Sequence, residues 1–150
     1  MSLTWDLQTL DADLEEFRRR LRVRVRRAVH ENLGDSAGAG AFRIIEALVQ
    51  RGPLSPSDLA ALLEVRTSTM TNHLDRLEEL GWAQRQAAAL GPSRLHVCAT
   101  EAGREAFARY VAVRRQVLRE VLEPLGPAEV AQLAWALHCC VQERSNGEAR

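Results

Sequence analysis

The sequence contains no lysine, so all 20 of its basic side chains are arginine, a compositional bias from which no function follows. They are balanced by 20 aspartates and glutamates, giving a formal net charge of zero. Neutrality argues against a protein that coats nucleic acid indiscriminately. It does not exclude a sequence-specific reader, for which only the docking face must attract phosphates. No apolar run approaches the length needed to span a bilayer. Three cysteines are too few for a disulfide framework, and neither a CxxC nor a spaced His/Cys set is present, so no metal or cofactor is expected. His30, His73, His96 and His138 are scattered, and His73 suits packing or a phosphate contact better than a metal. The first residues, MSLTWDLQTLDADLEE, are acidic and amphipathic without a basic leader or cleavage site; a cytoplasmic location is the expectation. Aromatics are sparse, but 46% of the 150 residues are hydrophobic, enough for one domain with a real core.

What is present centres on SPSDLAALLEVRTSTMTNHLDRLEEL, Ser55 to Leu80. Ser55 is placed to cap a helix, Pro56 suits its first turn, and Asp58 completes a start like a capping box. Leu59, Leu62 and Leu63 give that helix a buried stripe, and Glu64-Val65-Arg66 is short enough to be a turn. Met70, Leu74 and Leu77 then recur at helical spacing. With those three turned inward, Ser68, Thr69, Thr71, Asn72 and Arg76 face solvent. Hydroxyls, an amide and a guanidinium on one helix face are what a major-groove reader offers to base edges and phosphates. An ordinary helical hairpin with a solvated face has the same pattern, so these residues alone favour DNA only slightly.

The next stretch sharpens the reading. Gly81 stops the helix, Trp82-Ala83-Gln84-Arg85 is extended, and a turn-rich stretch from Gln86 to Ser93 leads to Arg94-Leu95-His96-Val97-Cys98-Ala99. There Leu95 and Val97 alternate with polar neighbours, as in a half-buried strand. Thr100 then caps a new helix. Helix, turn, helix and two-stranded hairpin make a winged helix.

At this point the sequence resembles the MarR family of bacterial transcription regulators, through LSPSDLAALLEV, STMTNHLDRLEELGW and ATEAGREAF. The resemblance covers nearly the whole chain. It implies a mainly α fold with a small β-hairpin wing: a winged helix-turn-helix core at 41–100 flanked by long dimerisation helices at 3–33 and 101–144, in a single domain, 1–150. It further implies a homodimer on palindromic double-stranded DNA, with the second helix of the motif in the major groove and a wing arginine in the minor groove. By position the DNA-binding set becomes Arg66, Thr67, Ser68, Thr69, Thr71, Asn72, Arg76, Arg85 and Arg94. The family's wing usually bears Asp-x-Arg; here those positions hold Gly91 and Ser93, with Arg94 one residue late. Arg66 also stands where a small capping residue is typical.

Elsewhere, Leu3, Leu7, Leu10, Leu14, Phe17, Leu21 and Val25 mark a long first helix, expected to reach Asn32 before Gly34 ends it. Its arginine run, Arg18 to Arg20 with Arg22, Arg24, Arg26 and Arg27, invites a nucleic-acid reading. A solvated face with salt bridges to a partner subunit is preferred, because so long an apolar stripe wants a partner helix. Gly34-Asp35-Ser36-Ala37-Gly38 matches G-x-S-x-G, but a helix precedes it and no strand–helix alternation surrounds it. An interhelical loop, and no enzyme, is therefore the expectation.

Phe42, Ile44, Ile45, Leu48 and Val49 give the next helix its buried side. Helices with stripes from Phe107 to Leu122 and from Val130 to Val141 are separated at Pro124-Leu125-Gly126-Pro127, and the chain from Ser145 should fray. The first and last two helices carry more apolar surface than a monomer can bury, which predicts a homodimer. Many MarR relatives are released from DNA by small, often phenolic or aromatic, effectors bound between core and dimer layer. Trp5, Phe17, Arg18, Phe42 and Arg43 are of suitable type for such a pocket. A probable-repressor reading is thereby implied, with two alternatives: a winged-helix interaction module that has lost DNA binding, or a redox-responsive regulator using Cys98, Cys139 or Cys140.

Overall fold

The computed structural model describes residues 7–34, 38–87 and 95–147. Along them run α1 (Leu7–Leu33), α2 (Ala39–Arg51), α3 (Pro56–Leu62), α4 (Thr67–Glu79), β1 (Ala83–Ala87), β2 (Leu95–Ala99), α5 (Glu101–Val121) and α6 (Pro127–Gly147). This is the mainly α fold with a β-hairpin wing that the sequence predicts. Trp5, Gly91, Ser93, Arg94 and the middle of the G-x-S-x-G stretch lie outside the described residues.

Local chemistry sets the helix ends. Ser55 Oγ accepts the Asp58 backbone N–H at 3.1 Å and donates to Asp58 Oδ2 at 2.6 Å, so the predicted cap is made on both sides. Thr100 Oγ1 accepts the Gly103 N–H at 3.1 Å and donates to the Gly81 carbonyl at 2.6 Å. That second bond closes the base of the hairpin as well as starting α5. Helices α3 and α4 end alike. The Val65 and Trp82 amides donate back across the last turn to the Ala60 and Leu77 carbonyls, at 3.0 and 2.8 Å. The turn needs a residue of positive φ between helix and exit. After α4 it is Gly81, φ 70°; after α3 it is Glu64, φ 54°, where a side chain costs conformational energy.

The core gathers at the helix-turn-helix. Ile44, Ile45, Leu59, Met70, Leu74, Leu77 and Val97 are each no more than 1% exposed, with Leu48 and Phe42 close behind. Burying each large side chain contributes roughly 1.5–3 kcal/mol, so three on α4 fix its roll firmly. Antiparallel β1 and β2 pair from Ala83↔Ala99 to Ala87↔Leu95, and Leu54 bridges Val97 on the other edge of β2. Helix α1 packs along α5, with Val29 and Val117 buried.

Three expectations need correction. Leu95 is 51% exposed, because it lies at the far end of the hairpin, two residues past the point where Val97 meets the core. Val49 is 41% exposed on the outer side of α2. Helix α6 continues to Gly147, past the predicted onset of fraying.

Candidate nucleic-acid interface

Helix α4 divides into two sides. Met70, Leu74 and Leu77 are fully buried, while Arg66, Thr67, Ser68, Thr69, Thr71, Asn72 and Arg76 are all exposed. None of that polar side is covered by the chain's own helices, which is the condition for laying it in a groove. Arg66 occupies the N-cap position without giving a side-chain bond, so the first-turn amides of α4 open outward. Helix N-termini of this kind favour phosphate. Thr71 Oγ1 donates to the Thr67 carbonyl at 3.0 Å, which turns its hydroxyl hydrogen back into the helix and leaves lone pairs and methyl outward. Arg76 pairs with Glu79 at 2.9 Å, both ends well exposed. A surface pair of this kind is worth little and leaves the guanidinium able to swing to a phosphate.

Arg85 is placed differently from the rest of the set. Its Nη2 meets Asp75 Oδ1 at 2.8 Å, its Nη1 meets Glu78 Oε2, and its backbone N–H donates to Glu78 Oε1 at 2.9 Å. Only 26% of its side chain is exposed. The sequence reading made it a DNA contact; the structure engages it with two carboxylates of α4. Nothing in strand periodicity marks this pairing, although the acidic residues one turn apart on α4 were available as a signal.

The described members of the effector set, Phe17, Arg18, Phe42 and Arg43, do not line one pocket. Phe42 is 2% exposed and stacks on Tyr110 at 4.3 Å, with Trp82 at 5.5 Å, so it is a core aromatic and not a pocket wall. Arg18 is exposed and pairs with Glu15 at 2.5 Å; Phe17 is half-buried on α1. Arg43 lines a hollow with Gly40, Ile44, Leu63, Val65, Met70 and His73 whose volume, about 30 Å³, is that of a single water. His73 packs there: a Cβ on Gly40 would come within 3.2 Å of its ring.

The arginine run of α1 is held largely within its own helix. Arg19 and Arg20 both pair with Glu16, at 2.7 and 2.6 Å, and Arg27 with Glu31 at 2.9 Å. Hydrogen bonds from Arg19 and Arg20 hold the Glu16 carboxyl down at about 2. Cys98 Sγ lies 3.6 Å from the Gln84 carbonyl, Cys139 is half-buried and Cys140 exposed. Among the described residues no group of three or more His, Cys, Asp or Glu side chains is arranged to hold a metal, and no helix is long and apolar enough to cross a membrane.

Comparison with known proteins agrees with this geometry. Residues 39–88, from the start of α2 to just past β1, match the family model for the MarR family. The chain is 31% identical over 98 residues to the HTH-type transcriptional regulator PecS of Dickeya dadantii, a match covering 63% of this chain and 59% of that one. The chain thus spans about three-fifths of the length of PecS. It is 25% identical over 121 residues to YpoP, an uncharacterised HTH-type transcriptional regulator of Bacillus subtilis, covering 81% and 86% of the two chains. The crystal structure of RV1404 from Mycobacterium tuberculosis superposes with a TM-score of 0.81 at 22% identity, over 95% of this chain and 97% of that one. Pinned helix, hairpin, family match and shared fold lead to one conclusion: the chain has a winged-helix fold whose residues 39–88 match the MarR family model.

Proposed function

We propose that the chain is a transcription regulator that binds double-stranded DNA in a sequence-specific way, as a homodimer on a palindromic operator. One observation carries this reading: α4 is held by three fully buried side chains so that its hydroxyl, amide and guanidinium side is open to solvent. Relatives whose names describe transcriptional regulators support it. In this reading Asn72, Ser68 and Thr69 meet base edges, while Arg66 and Arg76 meet phosphates.

Dimerisation is supported by the apolar surface at the two ends of the chain. From residue 127 to residue 142 only Val130 and Cys139 are even half-covered, and Trp135, Leu137 and Val141 stand 71%, 51% and 65% exposed. Leu7, Leu10 and Leu14 on α1 are likewise exposed. A second copy would bury these faces and set two α4 helices about one duplex turn apart. Repression follows if the operator overlaps a promoter. A small aromatic or phenolic effector would release DNA only by preferring a dimer whose α4 spacing no longer matches the operator.

Selected-site sequencing with the purified protein tests the reading. Recovery of an inverted repeat, with binding that falls steeply with salt but survives competitor DNA, is the expected result. Failure to enrich any duplex would leave the fold as an interaction module instead.

A further inference from the structure

The two elements that would touch DNA, α4 and the wing, are joined by one side chain whose position reading a sequence for phosphate contacts does not explain. We infer that Arg85 is a positioning residue: it ties the middle of β1 to Asp75 and Glu78 on α4, so that wing and helix meet DNA as one rigid body, and it touches no phosphate itself. The inference rests on the DNA-binding reading above and extends it.

The attachment is at one rung of the hairpin, and that rung is gripped from both sides. Arg85 pairs across the sheet with Val97. On its outer side Arg85 reaches two carboxylates of α4, through Nη2 to Asp75 at 2.8 Å, Nη1 to Glu78, and its own amide to Glu78 at 2.9 Å. On the opposite side Val97 exchanges two backbone bonds with Leu54, at 2.8 and 3.1 Å, and its side chain is fully buried. Below this rung the base is closed by backbone contacts at Trp82 and Thr100. Above it, among the described residues, Gln86, Ala87 and Leu95 are exposed. A two-stranded hairpin has little stiffness of its own. Its pitch against α4 is therefore set where side chains tie it to that helix, and among the described residues that point is Arg85.

The same geometry argues against direct contact. To reach a phosphate Arg85 would have to leave a half-buried site in which it makes charge-assisted bonds to two separate carboxylates. Leaving would also strand two carboxylates on the flank of the helix that approaches the DNA.

The test uses the full chain and a duplex of about 30 base pairs enriched by selection with the unsubstituted protein. Arg85→Gln should weaken binding about tenfold or more while keeping the slope of log affinity against log salt, since no phosphate contact is removed. Protection of bases in both grooves should keep its pattern on saturated duplex, since the bound state makes the same contacts. Arg85→Lys, which restores charge without the bidentate fork, should fall between. Amide exchange at Gln86, Ala87 and His96 should quicken while that at Leu74 does not change, showing the fold intact. The triple change Asp75→Asn, Glu78→Gln and Arg85→Gln removes the stranded carboxylates as well, and should bind as weakly as Arg85→Gln alone. Restored affinity in the triple variant would assign Arg85 to charge masking and overturn the inference. So would a salt slope reduced by about one per subunit, the mark of a lost phosphate contact, or unchanged affinity. If the unsubstituted protein selects no duplex, the DNA-binding reading itself falls and takes this inference with it; the other outcomes touch the inference alone.

Discussion

A Cβ on Gly103 would collide with the Trp82 carbonyl oxygen and lie 2.9 Å from its carbon. That carbonyl accepts the Thr100 N–H at 3.0 Å, so it cannot turn aside without opening the base of the hairpin. Gly103→Ala should therefore destabilise the chain by roughly 1–3 kcal/mol, the usual cost of overpacking, although alanine is the better helix former. Denaturant unfolding reads this directly; a neutral or stabilising result would contradict the close approach.

Glu64 predicts the opposite sign. It holds φ 54° at the exit of α3, where α4 uses Gly81 for the equivalent turn. Glu64→Gly relieves the left-handed strain and should stabilise by about 1 kcal/mol, less glycine's extra entropy in the unfolded chain. A raised midpoint of thermal unfolding is expected.

On the outer side of α4, stability and recognition should separate. Asn72→Ala and Ser68→Ala remove exposed side chains and should leave stability within about 0.5 kcal/mol. Asn72→Ala should relax preference at one position of the selected site, whereas Arg76→Ala should weaken all sequences alike and lower the salt slope. Leu74→Ala, by contrast, opens a cavity beneath the helix and should cost about 2–5 kcal/mol. Binding titrations beside unfolding curves distinguish the two classes.

Glu16 offers a pH signature. Its folded carboxyl is lowered from 4.5 to about 2, first by the hydrogen bonds from Arg19 and Arg20. A depressed carboxylate supports the fold above its unfolded pKa, so this contribution is complete above about pH 4.5 and fades as pH falls toward 2. Because the group is exposed, high salt should weaken the effect. An NMR titration of the Glu16 carboxyl should show a midpoint below the ordinary carboxylate range, rising with salt.

Trp135 and Leu137 test the dimer. Charged replacements at both positions cost a monomer nothing in buried contacts, since both are exposed. Light scattering should show the unsubstituted chain at twice its monomer mass and the doubly substituted chain as monomer.

Much of this architecture was legible in the sequence, and for identifiable reasons. Ser55, Thr100 and Gly81 are local signals, each acting within a few residues, and each makes the bond or turn its type implies. The 3.6-residue spacing of Met70, Leu74 and Leu77 fixed which side of α4 faces out. What sequence could not supply was contact between distant segments. Phe42 looked like a pocket wall because composition does not reveal that Tyr110 and Trp82 cover it. Leu95 looked buried because alternation says nothing about where a strand leaves the core. Arg85 reads from sequence only as a DNA contact, because the carboxylates it pairs with belong to the preceding helix.

The bond from the Arg85 amide to Glu78 has one more consequence. Val97 directs both of its backbone groups to Leu54, so its cross-strand neighbour Arg85 turns its own amide toward the free margin of the sheet. A foreign strand seeking to extend the sheet at Arg85 would find that donor already occupied by Glu78, so at this position the border offers no free amide to invade.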